Sequence, residues 1–547
     1  MLTNFKIKFL LILTILVVCS TSLAQIKCSK VLNSPEISKE TKPEFKPLEF
    51  KLITSRVESL AVRLAAIRKA KHTIELAVFI FKRDEAGKLV IKELKDALDR
   101  GVNIKLLIDG FGSAVSNGLL RNFRDELNSL KRYSTEENVP GTFDVHYTHS
   151  ILNIKDVVSK SFIKLFEQGI LKHKDSAPLN YNQRIHDKLM VADGGYKSAL
   201  IFTGGSNIGN AYNGIGSHKK GNYVDLDIVL KPEVSRENLG EGDSLRTSYN
   251  RYIDMILRET PSRELQGKML KLFPNLFYKS DINNISQLKP DEYNSVIFDK
   301  LHNLKEEDYF NHGFTKGEGQ LLSEYNNLIS SNSSMQGSWY KAQNTSSSTL
   351  SIKKNFYEQM EKSEKLIEIV TPYPILTNSS LRRIEKILLE KPNLEIHLFA
   401  NNKKFTDKVM VYLYFSRIIF PKIIKLNNNK KINNRFKVFM FDGALTGEGK
   451  YVFNHSKLAR FDNEKVLISS SNFDPRSFRL NSESGLLLQG KSVSEQFDDH
   501  INLIKNNSKE ISDLELSKRM KKLPEWKKKA YGLVEKLLVN LNFTTQL

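Results

Sequence analysis

The chain has 547 residues, enough for two or three domains with separate cores, and its 40% hydrophobic content excludes a protein of many membrane spans. Its 83 basic against 62 acidic residues leave a formal charge of +21, which favours anionic partners such as phospholipid headgroups or nucleic acid. Only two cysteines, Cys19 and Cys28, are present, which excludes a disulfide-built scaffold.

Along the chain, Lys6 and Lys8 precede an apolar run from Phe9 to Val18 and then Ser22-Leu23-Ala24. This reads as a secretory signal over residues 1–24, cleaved after Ala24, with a retained signal anchor as the alternative. The run falls short of the roughly 20 residues a membrane span requires. A first half, 46–250, follows. Leu60–Lys71 has helical spacing, Thr73–Phe81 reads as a buried strand, Val90–Arg100 as a helix stopped by Gly101, and Val102–Asp109 as a strand. Residues 251–334 are polar and irregular, a connector carrying some helix. In the second half, 335–510, the order recurs: helix Ser351–Glu364, strand Leu366–Val370, helix Leu381–Glu390, strand Leu394–Ala400. Val411–Ile424 reads as a core helix ending at Pro421. This alternation predicts an α/β sheet covered by helices, and its recurrence suggests a duplication. The last segment, 511–547, is a basic tail in which Trp526, Ala530, Leu533, Leu537 and Leu541 fall on one helical face. Such a helix can lie in a membrane interface or pack on the protein body.

One pattern occurs twice. RIHDKLMVAD supplies His186, Lys188 and Asp193, and FNHSKLARFD supplies His455, Lys457 and Asp462 with the same gaps. Each is followed by a small-residue turn holding an asparagine, Gly204-Gly205-Ser206-Asn207 and Ser469-Ser470-Ser471-Asn472. Both motifs run into residues of strand character, where alternate side chains share a face, so each histidine projects with its lysine. An imidazole beside an ammonium suits a phosphate: the lysine neutralises its oxygens while the histidine attacks or moves protons. Asn207 and Asn472 can donate amide hydrogens to the same oxygens. Glu483, 28 residues after His455, is the candidate to orient the imidazole of its own half, and Asp225 to do the same for His186. His146 and His149 alone are weak evidence for a metal site.

The two copies of H-x-K-x4-D, with GGSNIG (204–209) and SSSNFDPRSFRLNSE (469–483), resemble the phospholipase D superfamily. Within it, GGSNIGNAY (204–212), DLDIVL (225–230), NFDPRS (472–477), HTIELAVFIF (72–81) and KGEG (316–319) resemble bacterial cardiolipin synthases, above all those of the C type. The resemblance spans roughly 50–510. It implies two phospholipase D-like halves related by a pseudo-twofold axis, each a mixed β-sheet flanked by helices, with His186 and His455 facing one phosphate. It further implies His186 as nucleophile, His455 as acid and base, Lys188, Lys457, Asp193 and Asp462 as the rest of the catalytic group, and Ser470 beside the asparagines on the phosphate. No metal or cofactor is implied.

The function so implied is phosphatidyl transfer of cardiolipin-synthase type on anionic phospholipids, at the periplasmic side of the inner membrane and peripherally bound. Hydrolysis to phosphatidic acid is one alternative. A secreted nuclease, the only reading that brings in nucleic acid, is another. No obligate protein partner is evident. Two departures from the family's usual pattern stand out. Ten residues separate Asp193 from Gly204, against six between Asp462 and Ser469, which predicts a longer hairpin at Gly194-Gly195-Tyr196-Lys197 with Asn207 still in place. Ser469-Ser470 stands where Gly-Ser is usual.

Overall fold

A computed structural model describes residues 45–116, 125–137, 139–148, 184–215, 222–232, 306–325, 351–406, 408–446, 449–478 and 481–511. The expected signal segment, His149 and all of the basic tail beyond Ile511 lie outside these residues. Among the described residues, no helix is long and apolar enough to cross a membrane.

The first half begins with β1 (Lys46–Ile53). Ser55 then accepts the Glu58 N–H at 3.3 Å, closing the first turn of α1 (Arg56–Lys69), and the Ser-x-x-Glu spacing is that of a capping box. There follow β2 (Thr73–Val78), α2 (Glu85–Asp99), β3 (Asn103–Asp109), α3 (Gly110–Ser116), α4 (Asp125–Glu136) and β4 (Phe143–Thr148). The half closes with β5 (Lys188–Ala192), β6 (Leu200–Gly204), the short α5 (Asn210–Asn213), β7 (Asn222–Val224) and β8 (Asp227–Pro232). After α6 (Glu306–Asn311), the second half repeats the plan. It runs β9 (Thr315–Tyr325), α7 (Ile352–Lys362), β10 (Leu366–Val370), α8 (Asn378–Glu390), β11 (Glu395–Asn401), α9 (Val409–Tyr414), α10 (Phe420–Asn427) and β12 (Phe436–Phe441). It ends with β13 (Leu445–Thr446), β14 (Gly449–Asn454), β15 (Leu458–Phe461), β16 (Lys465–Ser469), β17 (Ser482–Gln489), α11 (Lys491–Glu495), α12 (Asp498–Asn506) and β18 (Ser508–Glu510).

Fifteen strands form one mixed sheet in the order β18-β12-β11-β10-β15-β16-β17-β9-β1-β8-β6-β5-β2-β3-β4. Reading outward from the central antiparallel pair β1–β9, the order β8-β6-β5-β2-β3-β4 is matched by β17-β16-β15-β10-β11-β12. The duplication is therefore visible as a pseudo-twofold, with the two half-sheets joined edge to edge. Pairing two edges removes the exposed ladder each half would otherwise carry. Each half has its own core between sheet and helices, one built around Leu60, Leu64, Ile67, Val90 and Leu94, the other around Phe356, Met360, Ile384, Phe415 and Phe420. A third cluster draws on both halves, with Ile185, Leu189 and Leu226 packed in the same layer as Val370, Leu458 and Leu486. At about 1.5–3 kcal/mol for each fully buried large apolar side chain, this shared layer holds the halves together.

Two expectations need correction. The connector read over 251–334 contains β9, a central strand. TKGEGQLLSEY lacks clean alternation because Gly319 sits where the Leu48, Leu486 and Leu488 side chains cross it; a Cβ there would lie 2.6 Å from Leu48 Cδ2. Second, the Val411–Ile424 helix does not end at Pro421. A π-helical turn over Phe415–Ile419 precedes α10, and Pro421 falls in its first turn, where a missing N–H costs nothing. The segment is nonetheless core, with Val411, Leu413, Phe415, Ile419 and Ile423 buried.

Candidate active site

Each His-x-Lys triplet lies in the link leading into a strand: His186 just before β5 and His455 between β14 and β15. The lysines fold back on their own histidines. Lys188 Nζ donates to the His186 carbonyl at 2.6 Å; Lys457 Nζ donates to the His455 carbonyl and lies 2.8 and 3.2 Å from the two ring nitrogens. All four side chains are nearly or wholly buried.

The orienting carboxylates are exchanged between halves, contrary to the sequence expectation. His186 Nδ1 is 2.8 Å from Glu483 Oε2, and His455 Nδ1 is 2.6 Å from Asp225 Oδ2. The cause is backbone pairing across the twofold. The Ile185–Ser482 bridge, with His186 N–H donating to Ser482 O at 3.0 Å, sets Glu483 beside His186. The parallel β7–β14 pair, with Asn454 opposite Val224, sets Asp225 beside His455. Ser482 Oγ also donates to Asp187 Oδ2 at 2.5 Å. A carboxylate that holds Nδ1–H leaves Nε2 with its lone pair turned toward the site.

Both histidines, both lysines and both carboxylates thus belong to one cluster. Burial, then the charges of Lys188 and Lys457, hold His186 well below the usual imidazole range, so it is neutral near pH 7. Burial pushes the Lys188 ammonium down to about 7 against the opposing pull of Glu483, and pushes Asp225 up to about 6 against Lys457. Burial likewise raises Glu483, although Lys188 and the Ser470 and Asn481 side chains favour its charged form.

Of the asparagines, Asn207 accepts the Ile80 N–H at 3.1 Å through Oδ1, which leaves its NH2 group to donate. Asn472 occupies the corresponding turn, its carbonyl fixed by Thr371 Oγ1 at 2.7 Å. Ser470, expected on the phosphate, instead donates to Glu483 Oε2 at 2.6 Å and accepts the Ser484 N–H at 3.0 Å; a carboxylate that needs orienting has claimed it.

Asp193 and Asp462, expected in the catalytic group, lie at the far ends of β5 and β15, about 16 Å along the strand from the lysines. Asp193 accepts the N–H groups of Lys71, His72 and Thr73; Asp462 accepts those of Glu364, Lys365 and Leu366 at 2.7, 2.8 and 2.9 Å. Each ties the start of the neighbouring strand to its hairpin, from a left-handed backbone of φ 51° or 52°. The longer first hairpin forms as expected: Ala192 pairs with Leu200, and Tyr196 stacks on His72 at 3.7 Å.

Several residues at the site escaped the sequence reading. Phe79 lies 4.8 Å from the His186 ring, and Tyr212 and Tyr223, stacked on each other, lie 5.4 and 5.0 Å from His455. Asn481 donates to Glu483 Oε1 at 3.0 Å, and His500 Nε2 contacts Ser456 Oγ at 2.9 Å. Only Asn481, two residues before Glu483 on an emerging strand, had a local signal. His146, half-buried on β4, faces Lys131 and Lys105.

Comparison with known proteins agrees with this architecture. The family described as "Cardiolipin synthase, PLD-like domain" matches residues 64–214 and 356–504, one match in each half and more than half of the chain together. The chain is 22% identical over 456 residues to cardiolipin synthase C of Escherichia coli K12, covering 81% of each chain. It is 23% identical over 455 residues to a cardiolipin synthase of Alkalihalophilus pseudofirmus, covering 83% of this chain and 65% of that one. In fold it is similar to the crystal structure of a phosphatidylserine synthase from Haemophilus influenzae, with a TM-score of 0.53 at 16% identity over 90% of this chain and 97% of the other.

Proposed function

Because the chain belongs to the cardiolipin synthase family of phospholipase D-like enzymes, we propose that it transfers a phosphatidyl group between anionic phospholipids through a covalent phosphohistidine. The observation that supports this reading is the exchange of carboxylates, which draws both histidines, Lys188 and Lys457 into one buried cluster suited to a single phosphate. In the proposed reaction His186 Nε2 attacks phosphorus, and the bond to the leaving alcohol breaks as protonated His455 gives that oxygen its proton. The acceptor hydroxyl then gives its proton back to His455 while its oxygen displaces His186 from phosphorus. Lys188, Lys457 and the amides of Asn207 and Asn472 balance the charge on the phosphate oxygens. With phosphatidylglycerol as both donor and acceptor, the products are cardiolipin and glycerol. The basic start and short apolar run of residues 1–24 support action on the exported side of the inner membrane.

The test is incubation of the purified protein with vesicles of labelled phosphatidylglycerol, followed by separation of the lipids. Cardiolipin is expected, and its loss in His186→Ala and His455→Ala. Phosphatidic acid alone would identify water as the acceptor and a hydrolase. No lipid product together with cleaved DNA would replace the proposal by a nuclease.

A further inference from the structure

The rims of the two halves differ on the side where the strands meet the histidines. β3 and β11 are equivalent strands, and their last residues, Asp109 and Asn401, make the same attachment. Asp109 Oδ2 accepts the Ile185 N–H at 3.2 Å, and Asn401 Oδ1 accepts the Asn454 N–H at 2.8 Å. Each strand end is thereby fastened to the residue just before its own histidine. Asn401 Nδ2 also donates to the Asn454 carbonyl at 2.7 Å. Beyond these residues the halves diverge. After Asp109 the chain runs Gly-Phe-Gly-Ser into α3, with Gly112 against the Phe79 ring and Ser113 buried. After Asn401 it runs Asn-Lys-Lys-Phe through a 3-10 turn, Lys403–Phe405. Lys403, Lys404 and Lys408 are exposed there, and Phe405 is half-buried.

The neighbouring link repeats the contrast. Before α2, Lys82 packs along Gly209, Arg83 is paired with Glu126, and Asp84 is the cap. Before α8, the cap is Thr377 and the residue ahead of it is Leu376, half-buried with Tyr373 at the edge of the core. Lys422, exposed on α10, reaches Asn378 Oδ1 at 2.7 Å and so joins this rim. Two acids lie nearby. Asp407 stands within the lysine run, and Asp442, beside Asn402, already faces Lys509 at 3.9 Å.

We propose that this rim, with Lys403, Lys404, Lys408 and Lys422 around Phe405 and Tyr373, is the surface by which the protein docks on an anionic phospholipid bilayer. The partner's identity rests on the transfer reading above. Each ammonium near an anionic leaflet strengthens binding by roughly fivefold, and its alkyl stem lets the charge reach the headgroups while the body stays against apolar surface. An aromatic ring with one side open suits the same headgroup level. Because Asn401 ties the base of the rim to Asn454, docking here brings the His455 side of the site to the lipid. The half-buried rings and the site's chemistry favour a bilayer over a nucleic acid, which the same charges would attract.

The experiment is sedimentation of the full chain with vesicles of phosphatidylglycerol or phosphatidylcholine, comparing wild type with Lys403→Gln/Lys404→Gln/Lys408→Gln. Cardiolipin formation is measured alongside, on vesicles and on monomeric short-chain phosphatidylglycerol. Affinity for phosphatidylglycerol vesicles is expected to fall by at least about tenfold, and turnover to fall on vesicles but not on monomers. In Phe405→Trp, fluorescence should shift to the blue on phosphatidylglycerol vesicles. Unchanged vesicle affinity or an unshifted spectrum overturns the proposal. So does an equal loss of turnover on monomers, which would place the lysines in the site itself, and so does a loss of DNA binding with vesicle binding intact. A wild-type protein that docks through this rim yet makes no lipid product supports the docking surface and refutes the transfer reading.

Discussion

Replacing Asp462 by asparagine separates anchoring from catalysis. The carboxylate gathers three backbone N–H groups within 2.9 Å, at the point where β10 starts. Asparagine keeps the volume, tolerates the φ of 52°, and retains one acceptor oxygen, so the change removes little but charge and one oxygen. Hydrogen bonds to a charged acceptor contribute about 1.5–3 kcal/mol each when shielded. Two of these three are open to water, which reduces the expected loss to about 2 kcal/mol in all. Alanine should cost about 1–2 kcal/mol more, because it offers the three N–H groups no acceptor and lacks the short polar side chain that eases a left-handed backbone. Thermal unfolding followed by circular dichroism, with turnover measured well below the melt, reads both quantities. We expect Asp462→Asn to lower Tm by a few degrees and to leave kcat within about tenfold. An unmoved Tm with turnover reduced a hundredfold or more would return Asp462 to the catalytic group and refute the anchoring argument.

A Cβ on Gly205 would lie 1.8 Å from Asp225 Oδ1, so Gly205→Ala should displace Asp225 from His455 and lower kcat by at least about a hundredfold in a protein that still folds. Gly195→Ala, with open space around it, is the matched control; equal activity of the two variants would contradict the geometry. Because burial brings Lys188 down to about 7, the free enzyme should lose the ammonium as pH rises through that value, giving kcat/KM an alkaline limb near 7. Lys188→Arg, which stays charged, should remove that limb even if its rate is lower; a limb that persists unchanged assigns it to another group.

The α/β class, the duplication and the two His-x-Lys pairs were legible along the chain. These are local signals: a helical or alternating period needs only a window of neighbours, and His-x-Lys needs only three residues. The asparagine turns were legible for the same reason, as was the longer hairpin before Gly204. What tertiary structure decided was every relation that crosses between the halves. Glu483 and Asp225 were identifiable as candidates, but which histidine each one serves depends on the Ile185–Ser482 bridge and the β7–β14 pairing, and the residues so joined are nearly 300 and about 230 positions apart. Strand β9 was hidden because Gly319 makes room for Leu48, Leu486 and Leu488 and Gly317 for Val493 and Phe50, so the apolar side chains at these positions belong to other elements. Asp193 and Asp462 looked catalytic because spacing in sequence does not say which end of a strand faces the chemistry. Arg63 read as one cation among 83 basic residues until folding buried it against the Phe202 ring and the Ser206 carbonyl. Periodicity is written along the chain, whereas charge balance in a buried site depends on groups that only packing brings together.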